Sequence, residues 1–74
     1  MNRIDDFAVE ICRDGLFLSS PGRYGTLFDA TRAALDLVVQ LGQAPAGAPL
    51  HVEVRRGTVT LLDIEVIPGR PFGR

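Results

Sequence analysis

The spacing of hydrophobic residues changes twice along this chain, from a period of two to the period of an α-helix and back, and that order constrains the fold more than any other feature. Near the N-terminus, residues 7–13 (FAVEICR) alternate apolar and polar side chains, as a half-buried strand does. Asp14 and Gly15 follow, a dipeptide typical of a tight hairpin turn. Residues 16–20 (LFLSS) then supply a return strand, so the pattern predicts a β-hairpin.

Pairing across this turn predicts which side chains share a face of the hairpin. Counting outward from the turn sets Cys12 opposite Phe17. The next facing pair on the same count is Ile11 and Leu18. Side chains two residues apart in a strand point to the same face. The face expected to be apolar carries Phe7, Val9, Ile11, Leu16 and Leu18.

The middle of the chain has the spacing of an amphipathic helix over residues 26–42 (TLFDATRAALDLVVQLG). Thr26 and Asp29 have the spacing of an N-cap and the third helical residue, which predicts that the helix begins there. Gly42 marks the expected end, and residues 43–49 (QAPAGAP) form a loop. The polar positions of the helix recur every three or four residues, which gathers them into one narrow stripe.

The segment before the helix, residues 19–26 (SSPGRYGT), combines glycines with an arginine, as a phosphate-binding loop does. It lacks the lysine and the length of a P-loop and the glycine spacing of a dinucleotide-binding fold. Its GxxG spacing matches that of KH modules, but that loop joins two helices, whereas this one follows a strand. A turn that leads into the helix is therefore predicted.

The C-terminal half predicts a second hairpin. Residues 50–56 (LHVEVRR) alternate strictly, Gly57 marks a turn, and residues 58–67 (TVTLLDIEVI) return. The apolar phase of the last strand shifts between Leu61 and Leu62. Either a β-bulge near these two leucines restores the phase, or the strand leaves this sheet edge to pair elsewhere.

The element order is therefore ββαββ. It predicts an α+β fold of two layers, with one helix packed on an antiparallel four-stranded sheet. Residues 1–67 are expected to form a single domain, and residues 68–74 (PGRPFGR) an irregular C-terminal tail. A chain of 74 residues lies near the lower size limit for a domain that folds alone.

Charge and composition exclude a strong overall attraction to nucleic acid or to an anionic membrane. The formal net charge is −1, and the eight basic residues are all arginines. No apolar run approaches the ~20 residues that cross a bilayer, and the N-terminus lacks the apolar core of a signal peptide. A single cysteine cannot form an internal disulfide, so a cytoplasmic protein is expected.

Residues able to catalyse a reaction or to bind a metal are few. His51 is the single histidine, and it lies on the outward face of its predicted strand. An arrangement with Ser19 or Ser20 and Asp63 can be drawn, but no nucleophile motif accompanies it. One histidine and one cysteine give no recognised metal-binding spacing. We therefore expect no enzyme, no catalytic residue, no metal and no cofactor.

Arginine and aromatic residues recur together in two predicted loops. The segments PGRYG and PGRPFG each follow a strand, and they carry Arg23 with Tyr24 and Arg70 with Phe72. Such pairs bind nucleic acid by stacking on bases and contacting phosphates. A nucleic-acid-binding accessory domain is therefore the alternative function, although the net charge of −1 disfavours it.

The chain has more apolar surface than one small core can bury, because a four-stranded sheet covers only part of a helix. Apolar side chains extend onto both flanks of the predicted helix, and others lie on the sheet. The candidate partner-binding residues are Phe17, Phe28, Leu35, Leu37, Val39 and Leu62. A protein partner is the natural cover for this surface, and a second copy of the chain, in a homodimer, is the simplest one.

Part of the chain resembles HicB-like antitoxin domains, over about residues 7–49. The resemblance rests on the run Pro21, Gly22, Gly25, Thr26, Ala30, Ala34 and Leu35, which follows a hairpin and precedes the loop LGQAPAGAP. Asp29 stands where that family has a glutamate. We expect no C-terminal DNA-binding domain of the kind found in that family. The resemblance implies a non-enzymatic domain that binds and blocks a partner protein.

Together these observations predict a small, non-enzymatic interaction protein of bacterial or phage origin. It would act as an inhibitor or adaptor by occupying the surface of another macromolecule. An antitoxin-like protein and a phage-encoded inhibitor of a host defence complex both fit this description.

Overall fold

The computed structural model describes residues 6–69, which form one four-stranded sheet with a single helix against one face. The elements are β1 (Phe7–Arg13), β2 (Leu16–Tyr24), α1 (Leu27–Gly42), β3 (Leu50–Arg56) and β4 (Val59–Val66). Neighbouring strands are antiparallel and lie in the order β2-β1-β3-β4, so β2 and β4 are the edge strands. The predicted ββαββ order and α+β fold are confirmed.

The first hairpin turns where the sequence predicts. Asp14 and Gly15 both have positive φ, 52° and 78°. Two such residues in succession give the turn that suits the right-handed twist of paired strands. Arg13 pairs with Leu16 next to the turn, and the following pair is Cys12 with Phe17, as predicted.

Beyond that pair the register of the hairpin shifts. Ile11 faces Ser19, so the predicted pairing of Ile11 with Leu18 is wrong. The shift lies between Ile11 and Cys12 and leaves Leu18 as an extra residue of β2. An extra residue of this kind bends and twists the strand that contains it, and edge strands such as β2 often carry one.

Strand β2 continues to Tyr24, four residues beyond its predicted end. The prediction of a turn is therefore wrong for residues 21–24, and Tyr24 pairs with Phe7. Pro21 has no N–H to donate and would disrupt a central strand. It is tolerated here because no strand from the described part of the chain pairs with the outer side of β2.

Helix α1 begins at the predicted cap. The backbone N–H of Asp29 donates to Thr26 Oγ1 at 3.1 Å. The helix ends at Gly42 as predicted, although neither Gly42 nor Gln43 takes the left-handed conformation. The carbonyl of Gly42 instead accepts a hydrogen bond from the N–H of Gly69 at 3.1 Å. The chain after β4 thus closes this end of the helix.

Strand β4 contains the predicted bulge. Val54 pairs with Leu62 and Arg55 pairs with Thr60, which leaves Leu61 as the extra residue. After the bulge, the apolar residues return to the face covered by the helix. Those that belong to the core or pack against it are Leu62, Ile64 and Val66.

The core lies between the helix and the covered face of the sheet. Ala30 and Ala34 of the helix are completely buried, and their small side chains let the helix lie close to the strands. Val9, Val52 and Val54 are the largest fully buried side chains, and they come from the two central strands. Among residues 6–69, no helix lies against the opposite face of the sheet.

Leu16 and Leu18 of β2, which the sequence places on the apolar face of the hairpin, are both exposed. The last residue of β1 that pairs with β3 is Cys12. Arg13 pairs with Leu16 and with no described residue of β3, so the pairing between β1 and β3 ends at Cys12, close to the hairpin turn. The start of β2 therefore lies at a corner of the sheet, where little can cover it.

Candidate interaction surfaces

The first candidate surface is the start of β2. Leu16, Phe17 and Leu18, which we call the hairpin tip, are exposed by 68%, 60% and 49%. Successive side chains of a strand point to opposite faces, so the hairpin tip is apolar on both faces of the sheet. Single exposed apolar residues are common, whereas three neighbouring ones make this segment a candidate binding surface.

Of the hairpin tip, the sequence indicated only Phe17 as a surface residue. A signal for the other two leucines was present, because three apolar residues follow the turn without alternation. A strand of a two-layer fold buries only one face. Such a run at its start therefore has to leave apolar side chains exposed.

The second candidate surface runs along α1. Phe28, Leu35 and Val39, which we call the helix stripe, are exposed by 69%, 49% and 48%. Their spacings of seven and four residues place them within about 40° of one another around the helix axis. The buried face of the helix, centred on Ala34, lies roughly 120° away. The helix stripe therefore points away from the sheet and to one side.

The other flank of α1 faces β2 across a shallow cleft of about 240 Å³. Leu37 lines the cleft together with Pro21 and Tyr24 of β2, and Asp36 and Gln40 are also part of its wall. The volume lies below the ~300–1,000 Å³ typical of small-molecule sites. Because this flank faces β2, the helix stripe lies on the side of the helix toward β4.

Two of the six predicted partner-binding residues pack against the core. Leu37 and Leu62 are half-buried there, so they are not part of an exposed surface. The other four candidates are exposed: Phe17, Phe28, Leu35 and Val39. The sequence could not distinguish the two flanks of the helix, because its polar stripe does not determine how the helix tilts over the sheet.

The residues predicted to contact nucleic acid do not form one described site. Arg70 and Phe72 lie outside the described residues. Arg23 is exposed on β2. Tyr24 is half-buried, packs against the core and lies across Gly22, where an added Cβ would be 2.6 Å from its hydroxyl oxygen. A ring held in this way has at most one face free to stack on a base.

The uncovered face of the sheet carries a charged group that joins two strands. Glu10 and Glu53 are directly opposite each other on β1 and β3. Arg55 lies 3.2 Å from Glu53 (Nη1 to Oε1) and 3.7 Å from Glu10 (Nε to Oε1). One guanidinium thus offsets the repulsion between two facing carboxylates. The sequence did not reveal this group, because alternation predicts a polar face and not the register between strands.

His51 and Asp63 form a second polar pair on this face, with 2.7 Å between Nδ1 and Oδ1. This hydrogen bond raises the pKa of His51 above its ordinary value of 6.5. Ser19 and Ser20 lie on β2, two strands away from His51. The Ser20 hydroxyl donates to the carbonyl of Val9 at 3.1 Å. A serine, His51 and Asp63 are therefore not brought together.

Three possible metal ligands also lie on this face. Their ligand atoms, from Glu10, Cys12 and Glu53, are within 4.8 Å of one another. Arg55 already pairs with both carboxylates. Burial, and then the charges of Glu53 and Glu10, raise the pKa of the Cys12 thiol above its ordinary value, so the thiolate that a soft metal requires is disfavoured. We assign no metal to this group.

Comparison with protein families, with curated proteins and with solved structures gives no match to this chain. The resemblance to HicB-like antitoxin domains therefore stays a prediction. Within residues 6–69, no helix combines the length and apolar character needed to cross a bilayer. The function has to be argued from the two exposed apolar surfaces.

Proposed function

We propose that this protein is a small, non-enzymatic interaction module, an inhibitor or adaptor that occupies the surface of a partner protein. The observation that carries the proposal is the exposed hairpin tip, with Phe17 at its centre. An antitoxin-like protein and a phage-encoded inhibitor of a host defence complex are two kinds of protein that would act in this way.

The hairpin tip is better suited to binding than to folding. Burying one leucine or phenylalanine side chain contributes about 1.5–3 kcal/mol, which this chain alone does not obtain at its hairpin tip. A partner surface that covers the hairpin tip would obtain it. Aromatic residues such as Phe17 are also enriched at the centres of protein interfaces.

The position of the hairpin tip on an edge strand adds a second means of binding. Within residues 6–69, nothing pairs with the outer side of β2. Backbone N–H and C=O groups along such an edge are available to an added strand. A partner could therefore combine strand pairing along β2 with a pocket for Phe17.

Weak dependence on salt is the signature that we expect for this mode of binding. The net charge of −1 gives little long-range attraction, so affinity should depend on apolar contact. Nucleic-acid binding, the alternative function, predicts the opposite, because phosphate contacts release counterions and lose affinity steeply as salt rises. Arg23 is exposed as that alternative requires, whereas Tyr24 packs against the core.

Affinity capture from the source cell tests the proposal. The tagged protein is the bait, the extract is treated with nuclease, and washes are made at low and at raised salt. We expect a protein to be retained after nuclease treatment and at both salt concentrations. Retention that disappears after nuclease treatment would contradict the proposal.

Fluorescence anisotropy with labelled single-stranded DNA and RNA tests the alternative directly. We expect no binding at micromolar protein and physiological salt. Tight binding that Arg23→Ala weakens would replace the proposed function by the alternative.

A further inference from the structure

We propose that the helix stripe is a dimerisation surface, on which two copies of this chain pair their α1 helices antiparallel about a two-fold axis that crosses the stripe at the height of residue 34. This inference rests on the proposed function only in that both assign a binding role to exposed apolar side chains. It differs in the occupant, which is a second copy of the chain.

The apolar residues of the helix stripe are self-complementary about one point. Phe28 and Val39 lie at its two ends, each about 8 Å along the axis from a midpoint between residues 33 and 34. An antiparallel copy centred there places Phe28 against Val39 of the partner subunit, twice by symmetry. Leu35, close to the axis, lies beside Leu35 of the partner subunit.

Two charged residues of α1 have nearly the same centre along the helix axis, because residue 34 is the midpoint of Arg32 and Asp36. Both are exposed, and they lie about 40° and 80° around the helix from the centre of the stripe, away from the sheet. Asp36 also borders the cleft beside β2. The same axis therefore brings Arg32 to the height of Asp36 of the partner subunit, and the two-fold repeats this ion pair. Within residues 6–69, no ion pair joins either side chain to another group.

The apolar pairs and the charged pairs fit the same two-fold axis, and this agreement favours a second copy of the chain over an unrelated partner. Apolar contact alone would fit many surfaces, but one axis satisfies both the apolar and the charged pairs. A parallel arrangement would bring Arg32 to the height of Arg32 of the partner subunit, which is a like-charge contact. The geometry therefore also selects the antiparallel orientation.

Pairing through the β4 edges is the competing symmetric contact, and its charges disfavour it. Asp63 and Glu65 are exposed on β4. An antiparallel pair of β4 strands centred on this part of the strand would set acidic side chains beside one another. Helix pairing avoids this repulsion. It also leaves the hairpin tip uncovered, because β2 lies at the opposite edge of the sheet.

Charge reversal in α1, followed by sedimentation velocity over the micromolar to millimolar range, tests the dimer. The wild-type protein should dimerise in this range. Arg32→Asp and Asp36→Arg should each weaken association at least about tenfold, because each places like charges opposite one another twice. An equimolar mixture of the two variants should dimerise again, since the introduced aspartate then faces the introduced arginine. An ion pair between residues 32 and 36 of the same helix cannot produce this recovery, because each variant carries like charges at these two positions.

Controls keep the result specific to the helix stripe. Leu35→Glu should give a monomer with unchanged circular dichroism. Val59→Ser, which replaces an exposed apolar residue of β4 outside the helix stripe, should leave the dimer intact. A wild-type protein that is monomeric throughout the range would overturn the inference. So would a mixture of folded charge variants that stays monomeric, or a dimer that survives Leu35→Glu. A monomeric Arg32→Asp variant that still captures the partner protein would leave the proposed function standing, so the two failures are distinguishable.

Discussion

At the scale of single residues, one hydrogen bond is the largest influence on the pKa of His51, the only histidine of the chain. His51 Nδ1 lies 2.7 Å from Asp63 Oδ1, and both side chains are partly exposed. The hydrogen bond stabilises the imidazolium and raises the pKa of His51, the charges of Asp63, Glu65 and Glu53 act in the same direction, and desolvation opposes them.

The direction of this pKa shift predicts a pH dependence of stability. Below pH 6.5, and above the range in which carboxylates protonate, His51 is charged in both the folded and the unfolded protein. In this range the hydrogen bond between His51 and Asp63 contributes fully to the free energy of unfolding. The contribution is lost as the pH rises through the raised folded pKa. NMR titration of the ring should give a midpoint above 6.5 that Asp63→Asn moves back toward 6.5. Equal midpoints in the two proteins would contradict this assignment.

A second prediction at this scale concerns the glycine that closes the helix. Gly69 has a φ of +87°, and a Cβ there would lie 2.8 Å from Ala46 Cα. Gly57 has a φ of +63° with open space around it, so Gly57→Ala should cost about 1–2 kcal/mol through its backbone alone. Gly69→Ala adds a clash with backbone and should cost more. Urea unfolding measures both changes, and equal losses would show that Gly69 does not pack against Ala46.

At the scale of elements, the N-terminus of α1 depends on Thr26. Its hydroxyl oxygen accepts the N–H of Asp29, which has no partner within the helix. Thr26→Ala should lower the free energy of unfolding by about 1 kcal/mol, whereas Thr26→Ser should be nearly neutral. If the two variants unfold at the same urea concentration, the side chain does not cap the helix.

Local chemistry made several elements predictable from the sequence. The cap at Thr26 and the bulge at Leu61 each depend on residues close in the chain, and both are confirmed. The end of β2 was predicted four residues too early, because Pro21 and Gly22 are typical of turns. Their place in a strand depends on β2 being at the edge of the sheet, which is a property of the tertiary fold.

The candidate surfaces were predictable to a lesser degree. The sequence identified excess apolar surface and included Leu35 of the helix stripe, but it could not separate Leu35 from Leu37, which packs against the core. The group of Glu10, Glu53 and Arg55 was not found, because it depends on the register between β1 and β3. The tilt of the helix over the sheet and the register between strands are set by packing between elements, so they cannot be predicted from local sequence patterns.

At the scale of the whole molecule, the two exposed apolar surfaces lie on opposite sides. The hairpin tip belongs to the β2 edge, and the helix stripe faces the β4 side. A dimer formed through the helix stripe would therefore carry two free hairpin tips. Two linked sites bind a multimeric partner more tightly than either site alone, provided that both can be engaged together.

The most direct test of partner binding compares Phe17→Ser with Val59→Ser. These side chains are exposed to a similar extent, 60% and 56%, and lie on different hairpins. Both substitutions should change the free energy of unfolding by no more than about 0.5 kcal/mol, because neither side chain is in the core. Affinity for the captured partner should fall at least about tenfold with Phe17→Ser and remain unchanged with Val59→Ser. Full affinity in Phe17→Ser, or a loss of affinity that only follows a loss of stability, would contradict a binding role for the hairpin tip.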